Sequence, residues 1–233
     1  ELTFIFDIFS QIVKRNKSLP CRKWKPWRKG KRIDLRSSIR ECVRYDGDVA
    51  TWSYKKKIPN FTRLVVAVDV SGSMEIYSLF LLNFLHQLAR HRRLKIEVFV
   101  FSTELRCLTA IFRLKSFKEM LEKLSSDFSG WSGGTKIGRA VRSLNRDYTG
   151  AIRSDTLVTI MSDGWDTGEP ELLKTEMENL SRKAKSIVWI NPLKGDPYYE
   201  PVATGMAVAR PFCDEFISGH NIASLERFGQ MIQ

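Results

Sequence analysis

Residues 64–73, Leu-Val-Val-Ala-Val-Asp-Val-Ser-Gly-Ser, determine the fold of this chain more than any other stretch. The first five are apolar and rich in valine, a pattern typical of a buried parallel strand. The strand leads into Asp69, and Ser71 and Ser73 follow at alternate positions around a glycine. Open α/β sheets bind ligands at the carboxyl ends of their strands. Because one carboxylate and two hydroxyls form a hard, oxygen-only donor set, we predict a site for Mg²⁺ or Mn²⁺ here.

From residue 64 onward, short apolar runs alternate with longer segments whose apolar residues recur at helical spacing. We predict strands over residues 64–68, 96–101, 156–161 and 186–190 and around Phe216. We predict helices over residues 76–90, 117–124, 137–144 and 170–185, near Met206 and from about Ala223. This alternation predicts an α/β fold with a doubly wound, mainly parallel sheet flanked by helices.

Two later segments supply further oxygen ligands. Gly133-Gly134-Thr135 delivers a hydroxyl just before a predicted helix, and Asp163 follows the predicted strand at 156–161. The candidate metal ligands are therefore Asp69, Ser71, Ser73, Thr135 and Asp163. Alternatively, the two serines simply cap the following helix, since Ser is frequent at N-caps. The presence of all five residues in chain order favours the metal site.

Together these five residues resemble the metal-ion-dependent adhesion site of von Willebrand factor A (vWA) domains. The sequence from residue 64 to the C-terminus resembles a vWA domain throughout, and CoxE-like proteins, encoded beside MoxR-type AAA+ ATPases, in particular. The motifs that carry the resemblance are Val-Asp-Val-Ser-Gly-Ser-Met at 68–74, Ser-Gly-Gly-Thr at 132–135, Ser-Asp-Gly-Trp-Asp at 162–166, Trp-Ile-Asn-Pro-Leu at 189–193, Ser-Gly-His-Asn at 218–221, Ser-Leu-Glu at 224–226 and, upstream, Ile-Asp-Leu-Arg at 33–36.

The resemblance implies that the two serines, and often the threonine, contact the metal directly, while the aspartates act largely through waters. It implies that an acidic side chain of a partner protein fills the remaining coordination position. It further implies a non-enzymatic adaptor that works with a MoxR-type AAA+ ATPase to mature or remodel a client protein. The family's namesake acts in assembling the molybdenum–copper site of carbon monoxide dehydrogenase, which suggests metalloenzyme maturation as one role.

Residues beside the ligands are candidates for a rim that meets the partner protein. We predict that this rim comprises Met74, Gly133, Gly134, Trp165 and Asp166. Trp165 and Asp166 follow the candidate ligand Asp163, separated from it by Gly164. The alternative interpretation is that Trp165 covers the sheet edge and Asp166 caps the next helix. The sequence leaves both interpretations open.

Two enzymatic alternatives use the same residues. A metal-dependent phosphohydrolase of the haloacid dehalogenase type also has an apolar strand ending in an aspartate, but Ser71 stands where its general acid belongs. A serine hydrolase drawn from Ser73, Asp163 and His220 lacks the glycine two residues before the serine that a nucleophile elbow requires. We therefore expect a protein that is not an enzyme, with the phosphohydrolase as the alternative.

The net charge of +12 is concentrated at the N-terminal end. Residues 1–63 hold 17 Lys/Arg against 6 Asp/Glu, whereas residues 64–233 hold 21 against 20. We predict a basic N-terminal appendage over residues 1–63 and a vWA-like domain over residues 64–233. Within residues 22–32, Trp24 and Trp27 are interleaved with basic residues, which would suit a connector, a protein-docking segment or nucleic acid. No nucleic-acid motif accompanies the charge, so nucleic-acid binding is the weaker alternative.

Local patterns in the appendage predict an amphipathic helix over residues 2–13, as the end of a truncated helical region, a helix over 35–45 and an edge strand over 49–55. No apolar stretch of the sequence approaches the roughly 20 residues of a membrane span. The four cysteines are scattered without metal-binding spacing, so we expect reduced thiols and a cytoplasmic location.

Overall fold

The structure, a computed structural model, describes residues 20–27, 32–44, 52–59, 63–90, 94–127, 134–195 and 203–232. The described residues between 20 and 59 form one unit, and those between 63 and 232 form another. The predicted helix over residues 2–13 lies outside the described residues. That residues 1–63 act as a separate appendage stays a prediction.

The basic unit contains a three-stranded antiparallel sheet in the order β1-β3-β2. Its elements are β1 (Pro20–Trp27), β2 (Arg32–Ile33), α1 (Leu35–Arg44) and β3 (Tyr54–Pro59). The helix lies where we predicted it. The predicted edge strand does not: β3 begins five residues later and is the central strand, with Lys55 opposite both Pro26 and Arg32. A run of lysines suggested an edge strand, but Lys55, in the central strand, is itself only half-buried.

The larger unit is built on a six-stranded sheet in the order β6-β5-β4-β7-β8-β9. Its strands are β4 (Arg63–Asp69), β5 (Lys95–Phe101), β6 (Leu105–Cys107), β7 (Thr156–Met161), β8 (Ser186–Asn191) and β9 (Glu215–Ser218). All neighbouring strands run parallel except β6, which turns back antiparallel to β5. The doubly wound, mainly parallel sheet predicted from the sequence is confirmed.

Helices cover both faces of this sheet. They are α2 (Glu75–Ala89), α3 (Thr109–Phe112), α4 (Phe117–Asp127), α5 (Ile137–Asp147), α6 (Pro170–Lys183), α7 (Thr204–Ala209) and α8 (Ile222–Met231). Alternate residues of β4 enter different cores: Leu64, Val66 and Val68 pack with α2 and α8, whereas Val65 and Ala67 pack with α5 and α6. A strand buried on both faces has to be apolar at every position, which explains the unbroken run at residues 64–68.

In the described part of the chain, no helix has the length and apolarity needed to cross a membrane.

Candidate metal site

The candidate ligands lie where the winding of the sheet reverses. The chain passes from β4 to β5 on one side and later enters β7 on the other side of β4. Val68 pairs with Met161 in the parallel register of β4 and β7, so the two chains leave the sheet side by side, towards Asp69 and Asp163. Such a switch point, at the carboxyl ends of the strands, is where open α/β sheets bind ligands.

The loop after β4 brings a carboxylate and two hydroxyls together. Asp69 Oδ1 accepts a hydrogen bond from the backbone N–H of Ser71 at 3.0 Å. The Oγ atoms of Ser71 and Ser73 lie 3.2 Å apart, within hydrogen-bonding distance. The N-cap residue of α2 is Met74, and no side chain forms a capping hydrogen bond there. The alternative role of the two serines as caps of α2 is therefore not what the structure shows.

A hydroxyl from the neighbouring strand end orients the other carboxylate oxygen of Asp69. Ser162 Oγ donates to Asp69 Oδ2 at 2.7 Å and accepts from the backbone N–H of Gly164 at 3.0 Å. Both Asp69 and Ser162 are fully buried. Ser162 is not among the site residues predicted from the sequence. Its position directly before Asp163, at the end of an apolar strand, is the signal that could have identified it.

Two buried side chains of β8 fix the backbone that carries Asp163. The indole Nε1 of Trp189 donates to the carbonyl oxygen of Ser162 at 2.9 Å, and Asn191 Nδ2 donates to that of Asp163 at 2.9 Å. Asp163 Oδ1 in turn accepts from the backbone N–H of Trp165 at 3.0 Å. Trp189 and Asn191 act through contacts between β8 and the end of β7. The spacing of these two residues along the chain does not predict such contacts.

The turn after Asp163 requires a glycine for two reasons. Gly164 has a φ of +85°, in the left-handed region that residues with a Cβ rarely adopt. A Cβ atom at this position would lie 2.7 Å from the Cβ of Met206 in α7. Both the backbone conformation of the turn and the close packing of α7 against it therefore exclude a side chain at position 164.

The third loop presents Thr135, which is buried. Its carbonyl oxygen accepts from both the N–H and the hydroxyl of Thr167, at 2.8 and 2.9 Å. A Cβ atom at Gly134 would lie 2.7 Å from Thr167 Oγ1, so the two loops are in close contact at this glycine. The loop that carries Asp163 therefore also holds the loop that carries Thr135.

The predicted rim residues differ in how far they are exposed to solvent. Met74 is fully buried in the core, so its side chain is not part of the surface, and Gly133 lies outside the described residues. Gly134 is exposed, and Trp165 has 61% of its surface exposed, so it does not serve as a cover of the sheet edge. Asp166 is half-buried.

Asp166 connects two loops instead of capping α6. Its Oδ1 accepts from the N–H of Ile137, at the start of α5, and from the N–H of Gly168, each at 3.0 Å. The N-cap residue of α6 is Glu169, without a side-chain capping bond. The carboxylate of Asp166 therefore helps to hold the loop that carries Thr135 beside the loop that carries Asp163.

The hydrolase triad considered from the sequence is not assembled. His220 forms its hydrogen bonds with Ser218 and Asn221, in its own loop. The hydroxyl of Ser73 pairs with Ser71, and the carboxylate of Asp163 accepts from a backbone N–H. The three residues therefore do not form the chain of hydrogen bonds that activates a serine nucleophile.

The site concentrates negative charge in a buried place. The pKa of Asp69 is raised to about 6, chiefly by burial and also by the nearby charge of Asp163, although hydrogen bonds from Ser162 and Ser71 act to lower it. None of the ion pairs that the structure shows among the described residues includes Asp69 or Asp163. The ionised form of Asp69 is therefore costly unless a cation shares the site.

The donor set suits a hard divalent cation. Its members are carboxylate and hydroxyl oxygens from three loops, the type of ligand that Mg²⁺ and Mn²⁺ prefer. Within the described ranges, no group of three or more His, Cys, Asp or Glu side chains is arranged to hold a metal, so nothing there points to a softer ion. A cation at this point would also offset the cost of burying the ionised Asp69.

Comparison with known proteins identifies the family. Residues 11–225 match the family described as VWA domain containing CoxE-like protein, and the chain belongs to this family. A search of curated proteins found no match.

Solved structures share the fold. A von Willebrand factor type A protein from Catenulispora acidiphila superposes with a TM-score of 0.51 and 16% identity, over 76% of this chain and 43% of that one. A D319A mutant of the PilB minor pilin from Streptococcus sanguinis gives a TM-score of 0.51 and 10% identity, over 78% and 63%. This chain thus spans less than two thirds of either protein. Similarity at this level of identity establishes the fold alone.

Proposed function

We propose that the protein is a non-enzymatic adaptor that binds a partner protein through a Mg²⁺ or Mn²⁺ ion. The observation that carries the proposal is the buried Asp69, whose carboxylate is oriented by two loops and lacks a described ion-pair partner. In this proposal the hydroxyls of Ser71, Ser73 and Thr135 and the carboxylates of Asp69 and Asp163 hold the ion.

The chain's other residues position these ligands. The hydroxyl of Ser162 sets the direction of the Asp69 carboxylate, and Asn191 holds the backbone of Asp163. Thr167 and Asp166 keep the loop of Thr135 in place. Such supporting hydrogen bonds contribute strongly to metal affinity in proteins, because they preorganise the ligands.

The partner would complete the site. With Asp69 and Asp163 acting largely through waters, as the vWA resemblance implies, the direct ligands are neutral hydroxyls, which leave the charge of a divalent cation incompletely balanced. An acidic side chain of a partner is therefore the natural further ligand. The exposed indole of Trp165, two residues after Asp163 in the sequence, would offer an apolar contact to such a partner. Exposed aromatic residues contribute disproportionately to protein interfaces.

Membership of the CoxE-like family supports a particular class of partner. We propose a MoxR-type AAA+ ATPase, with which the protein would mature or remodel a client protein in the cytoplasm, with metalloenzyme assembly as one such task. The phosphohydrolase alternative gains no support, since Ser71 occupies the position of the general acid and Asp166 accepts two backbone hydrogen bonds.

The test combines metal titration with partner capture. The Ser71→Ala/Ser73→Ala double variant should fold normally but bind Mg²⁺ and Mn²⁺ more weakly by calorimetry, and should no longer capture the AAA+ ATPase from extracts of the native cell. Chelation of the wild type should have the same effect. A matched control is Ser125→Ala/Ser181→Ala, which removes two exposed hydroxyls bonded within their own helices. Capture that survives both the double substitution and chelation would contradict the proposal.

A further inference from the structure

Helix α1 of the basic unit exposes three apolar side chains to solvent. Leu35, Ile39 and Val43 are 62%, 61% and 75% exposed. Residues spaced by four positions lie on one face of a helix, so these three form a continuous apolar stripe, which we call the α1 stripe. A helix in a folded unit normally buries such a stripe.

Polar side chains on another part of the helix surface hold α1 in its unit. Ser38, which is buried, donates its hydroxyl proton to the carbonyl of Asp34 at 2.9 Å and accepts from the N–H of Ser53 at 3.0 Å. The hydroxyl of Ser53 donates to Glu41 Oε2 at 3.0 Å. Polar groups thus attach α1 to the segment before β3, and the α1 stripe is not used for that purpose.

Basic residues follow one flank of the α1 stripe. Arg36 and Arg40 are exposed and are also spaced by four positions, so they form a second row parallel to the first. Residues 17–61 as a whole hold 14 Lys/Arg against 4 Asp/Glu. An occupant of the stripe would therefore need an apolar face with acidic residues along one side, because a basic or neutral one would leave these charges unmatched.

We propose that the α1 stripe is a docking surface for an acidic amphipathic helix of a partner protein. A second copy of this chain fits less well, since it would bring two strongly basic units together. An anionic membrane surface also fits less well, because interfacial helices flank their apolar face with basic residues and here only one flank carries them. This surface is separate from the metal site in its chemistry, since it needs no cation.

The experiment is a selection from a displayed library of helical peptides in which both apolar and polar positions are randomised. The probe length of roughly 20 residues allows a stable helix to form on the surface. Selection on the full chain should enrich peptides with apolar residues spaced by three and four and with Asp or Glu along one side. Enriched peptides should bind with affinity that falls as salt is raised from about 0.1 to about 0.5 M.

Variants then locate the binding surface. Ile39→Ser/Val43→Ser should weaken the selected peptides by about tenfold or more, as expected for the centre of an interface. Arg40→Glu should weaken the acidic peptides and permit basic ones. The controls are Leu79→Ser, at an exposed apolar position of α2, and Arg139→Glu, at an exposed position of α5; both should leave binding unchanged. Chelation should also leave it unchanged, which separates this surface from the proposed metal site.

Four results would overturn the proposal. They are a selection without acidic helical sequences, peptide binding that is indifferent to the Ile39→Ser/Val43→Ser change, a dimer of the wild type that this change dissociates, and binding of random nucleic acid or of anionic vesicles that this change abolishes.

Discussion

The hydroxyl of Ser162 donates to Oδ2 of Asp69 at 2.7 Å, and this contact joins the ends of the two central strands across 93 positions of the chain. Both groups are fully buried, so no water competes for the bond. The orientation of the Asp69 carboxylate is thus set partly by Ser162, which follows β7 and lies outside the loop after β4.

Replacement of Ser162 by alanine should weaken metal binding while leaving the fold intact. The carboxylate of Asp69 would lose one hydrogen bond that lowers its pKa, so its ionised form would become scarcer and less well oriented. Loss of such a supporting contact typically reduces metal affinity by about 10- to 100-fold. Calorimetric titration with Mn²⁺ measures the effect. Ser143→Ala is the control, because that serine also donates to an aspartate, Asp147, but on the exposed surface of α5.

Metal-dependent stabilisation should depend on pH through Asp69. The pKa of this group is raised by burial to about 6 in the folded state, above its ordinary value of 3.8. In the absence of metal, the folded state therefore holds the proton more tightly than the unfolded state between these values. The resulting stability is present below the unfolded pKa and is lost as pH rises through about 6, a change of roughly 3 kcal/mol.

Divalent ions bind the ionised carboxylate, so they should compete with this proton. Added Mg²⁺ should raise the melting temperature clearly at about pH 7.5 and hardly at all at about pH 5. Thermal unfolding followed by circular dichroism at both pH values provides the measurement. Asp69→Asn should remove both the effect of metal and the contribution of this group to pH dependence; an unchanged metal response in that variant would place the ion elsewhere.

Alanine at position 164 should destabilise the protein. The backbone there has a positive φ, and the new Cβ would meet the Cβ and backbone of Met206, which cannot move aside as a flexible side-chain end could. We expect a loss of about 2–4 kcal/mol in the free energy of unfolding. Gly150→Ala is the matched control, because its Cβ would meet nothing within 4 Å, and it should change stability little. Urea denaturation compares the two, and equal stabilities would show that the turn at 164 tolerates a side chain.

Trp165→Ala should separate partner binding from metal binding. The indole is largely exposed and forms no part of the candidate ligand set, so calorimetry should give wild-type metal affinity. Capture of the AAA+ ATPase should fall by on the order of tenfold, the usual effect of removing an aromatic residue from an interface. Trp52→Ala, at an exposed tryptophan of the basic unit, serves as the control.

Phosphate monoesters and acyl esters should not be turned over in the presence of Mg²⁺. Ser71 replaces the general acid of a phosphohydrolase, and His220 is engaged with Ser218 and Asn221. A panel of chromogenic substrates tests this expectation. Turnover that disappears in Asp69→Asn would instead assign the site to an enzyme.

Much of the larger unit could be predicted because its signals are local. Fully buried parallel strands require unbroken apolar runs, and ligands at strand ends must follow those runs directly, as Asp69 and Asp163 do. The contacts that orient these ligands could not be predicted, because Ser162, Trp189 and Asn191 act across strands whose alignment is set by the whole sheet. The antiparallel β6 was missed for a similar reason: three residues are too few to show a period.

The basic unit was harder to predict, because its strands are rich in lysine and lack the apolar pattern from which strand pairing is inferred. The backbone register of β1 and β3 places Lys25 opposite Lys56, a pairing that a hydrophobic pattern cannot reveal. The segment around Trp24, which we expected to be a connector or a docking segment, forms the strand β1; its role stays a prediction. Met74 is a case in which sequence position misled. Its place directly after the serine loop suggested a surface residue, but its side chain is buried in the core.

The hydrogen bond from the indole of Trp189 to the carbonyl of Ser162 has an optical consequence. An indole shielded from water emits at short wavelength, and its emission shifts when the charge near it changes. Trp189 lies in the core, one hydrogen bond from the backbone that enters Asp163, so arrival of a cation would register in its fluorescence. With phenylalanine at the other five of the chain's six tryptophan positions, this one chromophore would report on the site from inside the protein, without an attached dye.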